Sequence, residues 1–63
     1  MIVGTDNVKG KPIEIHEDSH GKQRYWAKVD GMALFQRGRM RLRTFTTADA
    51  AWQAALDAAN RPD

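Results

Sequence analysis

Apolar and polar side chains alternate along three short stretches of this chain, after which the apolar period lengthens to that of a helix. Ile13-Glu14-Ile15-His16 has the period of two that marks a half-buried strand. Residues 23–30 repeat it more clearly, with Tyr25, Ala27 and Val29 on one face and Arg24, Trp26, Lys28 and Asp30 on the other. Residues 39–45 alternate a third time. That reading turns Met40 and Leu42 to the core and Arg39, Arg41 and Arg43 away from it. From Ala48 to Ala59 almost every residue is a good helix former. Ala51, Trp52, Ala55, Leu56 and Ala59 recur there at helical spacing. Thr46-Thr47 supplies an N-cap hydroxyl, Asp49 suits the positive end of the helix dipole, and Asn60 and Pro62 mark the stop.

Between these elements lie turn-forming segments. Residues 17–22 are polar and end in Gly21-Lys22, and Asp30-Gly31 is a strong hairpin signal. Residues 31–38 read as a loop, an unusually apolar one because it holds Met32, Leu34 and Phe35. Residues 1–11 read as an irregular N-terminal arm or a weak edge strand. The expected fold is therefore α+β: a single β-β-β-α domain over residues 12–60, with a three-stranded antiparallel sheet packed on one C-terminal helix, and a tail at 61–63. The helix covers the face carrying Ile13, Ile15, Tyr25, Ala27, Val29, Met40 and Leu42. Nothing in the sequence is left to cover the other face.

Length limits how stable such a domain can be. A chain of 63 residues has one small core, and cores of this size rarely supply more than about 3–5 kcal/mol. There is no cysteine, so neither a disulfide nor a thiolate metal site adds to it. No stretch has the roughly 20 apolar residues of a membrane span, and no signal peptide is visible; a cytoplasmic protein is expected. The net charge of +2 is unremarkable, but its distribution is not. Residues 1–30 carry five basic and five acidic side chains, residues 31–43 carry four arginines and no acid, and residues 44–63 carry three aspartates against Arg61. Basic charge is concentrated in one short segment.

That segment changes the reading of the uncovered face. Arg24, Trp26 and Lys28 come from one expected strand, and Arg39, Arg41 and Arg43 from the next. Side chains on adjacent strands stand about 5 Å apart, so the six are expected to form one basic patch around a tryptophan. Guanidinium groups bind phosphate oxygens in pairs, and an exposed indole stacks on unpaired bases. The expected activity is nucleic-acid binding, to DNA or RNA. The alternative is a protein-interaction or homodimerisation domain using the sheet edge and Met32, Leu34 and Phe35. His16-Glu17-Asp18-Ser19-His20 spells the H-E-x-x-H of zinc proteases. That chemistry needs both histidines on one helical face beside a cleft, whereas this segment follows a strand and runs into a turn. Ser19 is the sole serine and sits in the same turn. No enzyme, metal or cofactor is expected.

The run Gly21-Lys22, then Tyr25-Trp26-Ala27-Lys28-Val29, then Leu42-Arg43-Thr44-Phe45-Thr46-Thr47-Ala48-Asp49-Ala50-Ala51 resembles the plant ethylene-response-factor DNA-binding domain. It is also similar to that family's relatives, among them the arm-binding domain of phage-type tyrosine integrases, and to short bacterial domains of unknown function. The resemblance spans about residues 21–60. It implies three antiparallel strands, a C-terminal helix and a sheet that enters the DNA major groove. Tyr25 then matches the family's strand aromatic, Thr44-Phe45 its T-F pair, Thr47 the cap and Ala51 the helix alanine against the sheet. Arg41 and Lys28 fall at DNA-contact positions. Arg43 stands at the glycine of the family's L-G-T-F, and Ile13–His16 stands in place of its R-G-V-R-x-R strand.

Overall fold

The computed structural model describes all residues except 19–20, 23, 36–40 and 62–63. Its elements are β1 (Ile2–Val8), β2 (Lys11–Glu17), β3 (Tyr25–Val29), β4 (Met32–Ala33) and α1 (Ala48–Asn60). The strands form one antiparallel sheet in the order β1-β2-β3-β4, each paired with its neighbour in sequence. One face of that sheet packs against α1. The α+β class matches the sequence reading.

The strand count does not. Residues 1–11 contain a full seven-residue edge strand, β1, joined to β2 by Lys9-Gly10. Both turn residues have positive φ, 54° and 79°, as does the Asp30-Gly31 pair between β3 and β4, at 55° and 81°. Two-residue turns of this kind twist in the same sense as the strands they join, so they set the register tightly. A bulge between Ile2 and Gly4 shifts the β1 register near its start.

The expected strand over residues 39–45 is also corrected. Arg39 and Met40 lie outside the described residues. The remainder enters the sheet at two isolated bridges, Leu42 with Phe35 and Phe45 with Tyr25. The cause is the tight turn at Asp30-Gly31, which brings the chain straight back alongside β3. Met32–Ala33 takes the place the arginine segment was expected to fill. Leu34 continues this line: its N–H donates to the Ala27 carbonyl (3.0 Å), and its own carbonyl accepts from the Arg43 N–H (2.9 Å). Residues 42–43 therefore lie one strand further from β3 than expected, and the chain crosses back to β3 only at Phe45.

The buried centre comprises Ile13, Ile15, Ala27, Ala51, Ala55 and Ala59. Alanines at i, i+4 and i+8 on α1 let the helix backbone come close to Ala27 at the middle of the sheet. Val8, Tyr25, Val29, Leu34, Phe45, Ala48, Trp52 and Leu56 pack around this centre, only partly buried. Trp52 is thus a flanking residue and lines an open groove of about 270 Å³ with Val3, Gly4, Ile15, Ala48 and Asp49. Thr47 caps the helix as expected, its hydroxyl accepting from the Ala50 N–H at 3.1 Å. At the other end, Asn60 donates to the Leu56 carbonyl and Arg61 pairs with Asp57.

Candidate nucleic-acid interface

Strand alternation assigns the faces. Ile13, Ile15 and Ala27 meet the helix, so Glu14 and His16 on β2 and Trp26 and Lys28 on β3 stand on the outer face. The register sets His16 opposite Trp26 and Glu14 opposite Lys28. The two rings stack, with centroids 4.2 Å apart and planes within 16°. Glu14 Oε1 lies 2.9 Å from His16 Nε2, and the Lys28 ammonium lies 5.8 Å from the Trp26 ring centroid. Trp26 is consequently half-buried, not broadly exposed, and its indole N–H has no hydrogen-bond partner among the described residues. An aromatic pair of this kind contributes about 0.5–1.5 kcal/mol beyond its buried area.

Arg24 precedes β3 and pairs with Glu17, Nε to Oε2 at 2.9 Å. A side-chain bond to Tyr25, and then the charge of Glu17, push the guanidinium pKa further upward; it is a permanent cation. Glu17 therefore lies beside Arg24, and Glu14 stands opposite Lys28 on β3.

The remaining arginines do not join them. Ala33 pairs with Lys28 and so shares the outer face, Leu34 packs on the core, and Phe35 alternates outward again. Leu42, bridged to Phe35, takes the same side as Phe35 and is not among the residues packed on the core. Arg41 and Arg43 then project to the opposite side of that rim. The 5.2 Å approach of the Arg43 guanidinium to the ring of Phe45, a residue packed on the core, agrees with this. Of the six residues expected in one patch, Trp26 and Lys28 share the outer side of β3, whereas Arg24 engages Glu17 and the Tyr25 ring, the pair that falls on the helix side. Arg41 and Arg43 sit exposed along the far rim, and Arg39 is outside the described residues. The alternation of Arg41, Leu42 and Arg43 was legible; its phase relative to β3 was not, because the intervening β4 had been read as a loop.

His16 lies within β2 and Glu17 ends that strand, engaged with Arg24. A helical arrangement of the H-E-x-x-H letters is therefore not formed, and His20 is outside the described residues. Of the apolar trio at 32–35, Leu34 is taken up by the core, while Met32 and Phe35 remain 72% and 53% exposed. Among the described residues no helix is long and apolar enough to cross a membrane.

No family model, curated protein or solved structure matches the chain.

Proposed function

We propose that this domain binds nucleic acid, with the rim formed by residues 41–43 holding phosphates. One observation carries the reading: four arginines lie within residues 37–43, in a stretch from 31 to 43 without an acid. The described members, Arg41 and Arg43, are exposed, and neither pairs with an acid among the described residues. Guanidinium forks in that state keep their donors available to phosphate oxygens. Lys28 and Arg24 contribute less, because Glu14 and Glu17 offset them. The likeness of residues 21–60 to a DNA-binding family supports the same class of ligand.

The test is the salt dependence of oligonucleotide binding for wild type, Arg41→Ala and Arg43→Ala. Each lost phosphate contact should lower the slope of log K against log salt by about one unit. Arg41→Ala should leave stability within about 0.5 kcal/mol of wild type. Arg43→Ala also loses its contact with Phe45, worth about 0.5–1 kcal/mol at an exposed site, so Arg41→Ala is the cleaner probe. Unchanged slopes in both variants would refute the proposal.

A second reading, a protein-interaction or dimer contact, rests on the exposed Met32 and Phe35 and on the outer edge of β1, unpaired among the described residues. It predicts self-association or partner binding that holds or strengthens in high salt.

A further inference from the structure

We infer that the ligand is single-stranded, and that Phe35 is the residue on which an unpaired base stacks. The inference rests on the nucleic-acid reading above and adds to it a ligand form and a contact residue. Reading a duplex major groove with a β-ribbon requires the specificity arginines to project from the same face as the other groove-facing side chains. Here alternation separates them. Trp26, Phe35 and Leu42 share the outer side, and Arg41 and Arg43 leave the rim on the other. A single strand can use both sides at once, with its phosphates along the arginines and an unpaired base folded over the rim. In a duplex the bases are paired and stacked internally and offer no free ring face. Single-stranded binders combine such a cationic track with aromatic stacking platforms.

The same geometry selects Phe35 over Trp26. His16 already covers one face of Trp26 at 4.2 Å, and the Lys28 ammonium lies against the ring. Phe35, by contrast, is 53% exposed, and no ring stacks on it among the described residues. Its bridge to Leu42 places it directly across from the residue that Arg41 and Arg43 flank. A phenyl ring kept open on a rim whose other side carries two exposed guanidiniums is poorly explained as core packing, since its neighbour Leu34 fills that role.

The experiment is fluorescence anisotropy with an oligothymidine of about twelve nucleotides, within the range one small domain covers, and a duplex of equal length at the same salt. The variants are Phe35→Ala, Phe35→Trp and Arg41→Ala, each checked for an unchanged thermal transition. The single strand should bind at least about tenfold tighter than the duplex. Phe35→Ala should weaken single-strand binding about 5- to 150-fold, the equivalent of one lost stacked base, and leave duplex binding unchanged. Phe35→Trp should restore binding, and its added indole should be quenched by the strand. Equal or tighter duplex binding, or a Phe35→Ala variant that binds the strand like wild type, overturns this inference; a lower salt slope in Arg41→Ala would still uphold the broader reading. Failure of wild type to bind either oligonucleotide overturns both.

Discussion

Lys9 occupies a backbone conformation that costs most side chains energy. At φ 54° its Cβ crowds the following carbonyl, a penalty of roughly 1–2 kcal/mol that asparagine largely escapes by bonding locally. Lys9→Asn should therefore raise the urea midpoint by the equivalent of up to about 1 kcal/mol; a lower midpoint would show that Lys9 makes a compensating contact. The same residue explains a limit of the sequence reading. Asp30-Gly31 announces its hairpin because aspartate and glycine both favour the left-handed region. Lys9-Gly10 makes an equivalent turn with a residue that does not advertise it, so the sequence leaves residues 1–11 open between an irregular arm and a weak edge strand. His16 was obscured differently. Its letters suggested a metal motif, and its partnership with Trp26 becomes visible only once the β2–β3 register is known.

Among the elements, α1 and β3 were the most legible, because their patterns are long and regular. The helix stripe and its Thr47 cap were readable outright. The peripheral place of Trp52 was not, since a periodic stripe does not say which of its members reaches the middle of the sheet. Close packing there is made by the alanines. Ala55 is fully buried, so Ala55→Leu would force the helix off the sheet at a cost of about 1–3 kcal/mol. A domain holding about 3–5 kcal/mol in all would lose much of its stability, measurable as a lower and broader thermal transition. An unaffected transition would mean that the helix stands further from Ala27 than the structure shows. The arginine segment departs from its expected place for a physical reason. Alternation fixes which residues share a side but not which side, and β4 is only two residues long, too short to leave a pattern. Phe45, with the same parity as the arginines, was the available clue, because a large aromatic next to a helix start belongs in the core.

At the scale of the whole molecule, the fold class was evident from the sequence, while the distribution of charge was not, nor the half-buried state of Glu14, His16, Trp26 and Lys28 on the outer sheet face. The marginal core also makes stability a sensitive reporter of ligand. A strand supplied at a hundred times its Kd should add about 2.7 kcal/mol by mass action. For a domain of this length that raises Tm by roughly 10–20 °C, and an unshifted Tm under saturating oligonucleotide would contradict binding to the folded form. The two borders of the sheet also differ in how they treat other strands. A bare strand border is a template on which further chains can pair and aggregate, and bulges and charged side chains are the usual deterrents. β1 has its bulge beside Val3 and carries Asp6 midway along. At the opposite border among the described residues, Arg41 and Arg43 repel a second copy of themselves. The cations proposed to hold phosphate thus also help keep one molecule from templating the next, so replacing them removes a safeguard for solubility together with the binding surface.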